Sequence, residues 1–92
     1  MAEVGSVREE KEIGVVTHYF THIGVATLKI TSDSLNVGDM IHIKGHTSDF
    51  QQKIESMQVE HQQVQTAKVG DVIGLKVIEH AREDDKVYKV IG

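Results

Sequence analysis

Six histidines stand among 92 residues. Two of the pairs they form, His18 with His22 and His42 with His46, have the H-x-x-x-H spacing that on a helix offers two imidazoles to one zinc ion. The flanking runs "VVTHYFTHIGV" and "MIHIKGH" are rich in β-branched residues, which favour strands over the helix that this chemistry needs. On a strand the two members of a pair stand roughly 13 Å apart, beyond the reach of zinc–nitrogen bonds of about 2.1 Å. Neither pair encloses a carboxylate to serve as general base. Nucleophilic catalysis is equally poorly provided for, because Ser32, Ser34, Ser48 and Ser56 lie among turn formers or on an expected strand, without a G-x-S-x-G elbow. The run "EHARED" from Glu79, with Asp85 beyond it, crowds charges of both signs and reads as a solvated turn between strands. No enzyme, resident metal or cofactor is expected; a barrel that binds a metal or small ligand stays as a second alternative.

The elements that must position these residues are bounded by composition. The chain is long enough for one domain. With 39% apolar and 26% charged residues but only four Phe and Tyr and no Trp, its core must be built from Val, Ile and Leu. There is no cysteine, hence no disulfide or thiolate ligand. No apolar stretch reaches membrane-spanning length, and the acidic start "MAEVGSVREEKE" has no signal-peptide character, so the expected address is cytoplasmic. A formal charge of −4 argues against broad, sequence-independent binding to nucleic acid.

Along the chain, residues 1–11 are polar without a hydrophobic period and are expected to form a mobile lead-in. From there to the end a single β domain, 12–92, is expected. "IGVVTHYFTHIGVATLKI" reads as two strands meeting at a turn between Thr21 and Gly24. The stretches "LNVGDMIHIKG" and "AKVGDVIGLKV" each place Val-Gly-Asp ahead of an alternating apolar run. Gly38 and Gly70 can take positive φ, and Asp39 and Asp71 can accept a nearby backbone N–H, so each motif predicts a turn that launches a strand. Ile41 and Ile43 then share one face, as do Ile73, Leu75 and Val77. "QQKIESMQVEHQQVQTAK" has no Gly or Pro, and Ile54, Met57, His61, Val64 and Ala67 fall near helical spacing, so pattern alone favours an amphipathic helix there. "DDKVYKVIG" closes the chain as a strand.

In the order "IGVVTHYF", "GVATLKI", "LNVGDMIHIKG", "IESMQV", "AKVGDVIGLKV", residues 12–91 resemble the β-barrel second domain of translational GTPases such as elongation factor Tu and initiation factor two. The chain is also similar to small free-standing proteins of the translation-elongation-factor-like group, on the strength of "HYF" and "DFQQKIESMQ". The resemblance implies an all-β fold, a closed six-stranded antiparallel barrel with little or no helix. It overrides the helical period by a strand over Lys53 to Val59 and a loop over Glu60 to Lys68. It further implies a non-catalytic module that contacts RNA or a ribonucleoprotein in translation. No G-x-x-x-x-G-K-[ST] run is present, so the chain is not expected to bind a nucleoside triphosphate by itself.

The position that matches the family's nucleotide-contacting acid is Gln58, a departure in residue type. Gln58 should face outward because Met57 and Val59 claim the inward phase. The residues expected around it are His61, Lys53, Lys44 and Arg82. A protein–protein adaptor resembling the accessory barrels of collagenase-like peptidases is the alternative, with Tyr19 and Phe20 as its candidate contacts.

Overall fold

The computed structural model describes residues 9–91 and contains strands and turns only. Ten strands run in chain order: β1 Glu10–Phe20, β2 Val25–Ile30, β3 Leu35–Asn36, β4 Met40–Lys44, β5 Asp49–Lys53, β6 Met57–Val59, β7 Gln62–Val64, β8 Thr66–Ala67, β9 Val72–Lys76 and β10 Lys86–Val90. Eight of them form one antiparallel sheet in the order β5-β4-β10-β1-β2-β9-β6-β7, and β3 pairs with β8 in a small second sheet. Residues 1–8 of the expected lead-in lie outside the described residues, and β1 already starts at Glu10.

Three copies of one turn organise this sheet. In each, an Asp N–H donates to the carbonyl three residues back: Asp39 to Asn36 at 3.0 Å, Asp71 to Lys68 at 2.9 Å and Asp85 to Arg82 at 3.1 Å. The Asp carboxylate in turn accepts the backbone N–H of that same residue, at 2.8 Å for Asn36 and 2.9 Å for both Lys68 and Arg82. The residue before each Asp has positive φ: 101° at Gly38, 98° at Gly70 and 74° at Asp84. Each turn also clasps one buried β-branched residue through two backbone bonds. Gly38 and Asp39 hold Ile54, Gly70 and Asp71 hold Ile30, and Asp84 and Asp85 hold Val16. A fully buried residue precedes each turn (Leu35, Ala67, Ala81) and another follows two positions after each Asp (Ile41, Ile73, Val87). Sequence reading identified two of these as strand-launching turns and read the third only as a solvated turn between strands, because Asp84 stands where the others have Gly. Asp tolerates the left-handed region better than most side chains.

The sheet wraps around an aliphatic core in which Ile13, Leu28, Ile41, Ile43, Ile54 and Ile73 are fully buried. Each such side chain contributes about 1.5–3 kcal/mol by leaving water. β1 is bulged twice, between Glu12 and Gly14 against β10 and between Val16 and His18 against β2. The inward set of β1 therefore runs Ile13, Val16, Tyr19, three apart instead of two, and the strand coils with the sheet.

The closed six-stranded barrel is corrected by this topology: the ladder is open, with β5 and β7 at its ends. Closure fails because the chain leaves the sheet after Lys53, where Ile54 is captured by the Gly38–Asp39 turn. A side chain stitches the seam instead. The Gln52 carboxamide donates from Nε2 to the Lys76 carbonyl at 2.9 Å and accepts the Ile78 N–H on Oε1 at 2.9 Å, imitating a strand's peptide group.

The segment 51–68 is neither a helix nor one strand followed by a loop. Lys53 ends β5, residues 54–56 are irregular, and β6 and β7 form a hairpin across Glu60–His61. The buried residues Ile54, Met57 and Ala67 are reached from separate extended pieces whose breaks happen to reproduce a helical spacing.

The two clasp glycines make a clean test, since an added Cβ would meet no atom within 4 Å at either one and only the backbone conformation would resist it. Gly38→Ala and Gly70→Ala should each cost about 1–3 kcal/mol in urea unfolding. Asp84→Gly should be neutral or stabilising by up to about 1 kcal/mol.

Candidate binding groove

On β2 the buried residues are Ala26, Leu28 and Ile30, so Val25, Thr27 and Lys29 face outward; on β9 Ile73 and Leu75 are buried, which turns Val72, Gly74 and Lys76 out. The register sets Thr27 opposite Gly74 and Gly74 opposite Gln58 on β6. This row forms the floor of a groove of about 530 Å³. Phe20 and Ile23, 44% and 59% exposed, stand at the Val25 end of this groove, and Val72, 47% exposed, stands at the other end, level with Lys29. Glu60 and His61 line it at the Val72 end. Glu60 and His61 form the two-residue turn between β6 and β7 with φ of 51° and 67°. Hairpins of this type favour Asn and Gly at such positions, and a larger side chain there costs about 1–2 kcal/mol per residue. Strained residues of this kind gather at ligand clamps.

Gly74 is the unusual residue of the floor. It lies mid-strand, outside the positive-φ set, and a Cβ added to it would meet nothing closer than the Val25 Cγ1 at 4.0 Å. The fold therefore does not require glycine here, and a strand interior is weakened by it.

Of the residues singled out from sequence, Gln58, His61 and Phe20 meet in this groove. Tyr19 is half-buried against the core, with its ring 4.4 Å from that of His80. Arg82 lines a second cleft beside Tyr19, on the other side of the β1–β2 turn. Lys53 borders the furrow at the Gln52 seam, and Lys44 sits on β4 opposite Lys86 and Asp49. Among the described residues no lysine or arginine lines the groove, so no basic strip surrounds Gln58. Ile23, Val25, Val72 and Gly74 were missed. Val25 and Val72 carry a legible signal, since each is apolar on the phase opposite to its strand's core residues.

His42 and His18 are engaged elsewhere. His42, 12% exposed, is held between two carboxylates: Glu10 takes Nδ1 at 2.9 Å and Asp49 takes Nε2 at 2.5 Å. Burial works against its charge, but the hydrogen bonds that its ring donates to Asp49 and then Glu10 outweigh burial and raise its pKa above the ordinary value. The His42 hydrogen bond in turn lowers the pKa of Asp49. With both ring nitrogens occupied, His42 is a clamp joining β1, β4 and β5 and not a free ligand. His18 pairs with Glu83 at 3.1 Å and packs edge-on against Phe20, with ring centroids 4.5 Å apart. Among the described residues no three His, Asp or Glu side chains converge as a metal site.

Fold and groove define an all-β domain with an apolar cleft on the outer face of its sheet. No family model matches the chain. It is 37% identical over 86 residues to a collagenase of Porphyromonas gingivalis, covering 92% of this chain and 24% of the relative. It is likewise 37% identical over 78 residues to an uncharacterized protease of Methanocaldococcus jannaschii, covering 84% of this chain and 19% of the relative. The chain thus spans about a quarter or less of the curated relatives it matches. Among solved structures it resembles the C-terminal domain of a Geobacillus thermoleovorans protein assigned to the U32 peptidases. The TM-score is 0.80 at 22% identity, over 86% of this chain and 91% of that one.

These similarities overturn the resemblance to translation factors, both the barrel domain of translational GTPases and the free-standing elongation-factor-like proteins. The reason lies in the motif that carried it. Gly-Asp before an apolar strand is the chemistry of a clasp turn, and any β domain that launches strands this way will write it.

The His42 clamp predicts a pH dependence whose sign follows from the shifts. A raised histidine pKa contributes stability that is complete below the ordinary imidazole range and is lost as pH rises through the folded value. The lowered Asp49 contributes stability present above the ordinary carboxylate range and lost as pH falls through its folded value. The melting-temperature deficit of His42→Gln should therefore be largest at roughly pH 5–6 and shrink as pH rises past 7. A deficit independent of pH would mean that the ring acts only by packing.

Proposed function

We propose that this chain is a non-catalytic accessory domain of the collagenase-like peptidase type, and that it holds a polypeptide in the groove above Gly74. The observation that carries the reading is the bare floor. A mid-strand glycine that the backbone does not require leaves room for another main chain to approach the sheet. Around it, Phe20, Ile23 and Val72 offer apolar surface to side chains, while Gln58 offers its amide to peptide bonds; the Thr27 hydroxyl is taken by Thr17 at 2.6 Å. The lack of cationic lining disfavours a phosphate backbone as the occupant.

The similarity to a collagenase of P. gingivalis supports a polypeptide ligand and suggests gelatin as the probe.

The expected outcome separates stability from function. Gly74→Ala should raise stability by about 0.5–1 kcal/mol in urea unfolding, because the strand gains a Cβ with room to spare. The same substitution should weaken binding of a soluble gelatin fragment, measured by NMR titration. A variant that is more stable and binds gelatin as well as the parent chain would remove the groove from the account.

A further inference from the structure

The groove does not end at Phe20. Its apolar wall continues over the β1–β2 turn, where Phe20 and Ile23 share a shallow hollow with His18, Tyr19 and Thr21. The same His18, Tyr19 and Thr21 form one side of the second cleft, whose other side is His80, Arg82 and Glu83. The apolar trough, the hollow and the polar pocket are therefore neighbours that share lining residues. Ring contact between His18 and Phe20 and the His18–Glu83 hydrogen bond join the two halves.

The charges of the polar pocket select its ligand. Glu83 is already engaged by His18 at 3.1 Å. The Asp85 carboxylate is turned inward, with one oxygen on the Arg82 backbone N–H at 2.9 Å and the other against Gly45. Among the described residues Arg82 has no carboxylate partner for its guanidinium, and it is the cation of the pocket whose charge does not depend on pH. One fixed positive charge, with the His80 ring and the Tyr19 and Thr21 hydroxyls around it, suits a monoanion better than a dianion. A planar guanidinium matches a carboxylate in two-point geometry.

We propose that the trough and the pocket are one site for the C-terminal end of a polypeptide. Its apolar side chains would lie along Val72, Val25 and Phe20, and its free α-carboxylate would sit on Arg82. Glu60 at the far rim carries the opposite charge and favours this direction over the reverse. A free fatty acid shares the apolar-body and monoanion chemistry, but it would leave the Gln58 carboxamide on the groove floor without a partner. This inference rests on the groove reading above and adds to it the direction and end-specificity of the bound chain.

The test is an NMR titration of the whole chain with a short Leu/Val/Gly peptide bearing a free carboxylate, the same peptide as its C-terminal amide, decanoate, and a single-stranded RNA oligonucleotide. The free acid should shift amides of both Gly74 and Arg82, and the amide those of Gly74 alone. The acid should bind about tenfold more tightly. Arg82→Gln should bring the acid down to the affinity of the amide and leave the amide unchanged; Arg82→Lys should restore part of the difference. An unchanged melting temperature for both variants excludes unfolding as the cause. Equal binding of acid and amide would overturn the end-specificity while leaving the groove reading intact. Tighter binding of decanoate, or of RNA, on these residues would also overturn it. Failure of both peptides to shift Gly74 would contradict the groove reading itself.

Discussion

The structure depends on one small device, an aspartate that folds its carboxylate back onto a backbone N–H three residues earlier while its own main chain grips a buried residue of another segment. Asp39, Asp71 and Asp85 repeat it around Ile54, Ile30 and Val16. A domain of this size with four Phe and Tyr and no Trp has little core to spare. Its turns must therefore do two tasks at once, reversing the chain and fixing the inward phase of the strand that follows. Each clasp does so by bracketing the turn with buried residues. The third clasp also explains a tight contact: a Cβ at Gly45 would collide with the Asp85 carboxylate. The β4–β5 turn and the turn into β10 are thus packed against each other through an inward-facing charge.

Much of this was legible in the residues. The alternation in β2, β4, β9 and β10, the turn at Thr21 to Gly24 and the Val-Gly-Asp motifs follow from local chemistry that tertiary packing leaves alone. What could not be read was phase wherever the chain breaks it. The bulges of β1 move the core set from every second residue to every third, and the breaks around β6 and β7 turn separate strands into an apparent helical period. Barrel closure is not a property of any one segment. It fails here because Ile54 is drawn out of the sheet, and a glutamine side chain spans the remaining gap.

The groove was legible only in part, for a related reason. Gln58 is outward by simple alternation with Met57, and Val25 and Val72 betray themselves as apolar residues on the solvent phase. Nothing local says that β2, β9 and β6 are neighbours in that order, so the row Thr27, Gly74, Gln58 has no sequence signature. Gly74 in particular reads as an ordinary weakness in a strand until the space above it is known. Arg82 lies across the β1–β2 turn from Gln58, which dissolves the expected basic face and leaves in its place a trough that no lysine or arginine lines, with Arg82 in the neighbouring pocket.

Hydrogen exchange on the whole chain, with and without a saturating gelatin fragment, addresses the central claim most directly, because it reports protection at every amide without a substitution. The expected result is slowed exchange confined to β2, β9 and the β6–β7 hairpin, with Gly74 and its neighbours Thr27 and Gln58 among the affected amides. Unchanged exchange there, with protection appearing instead on the His42 side of the sheet, would contradict the account.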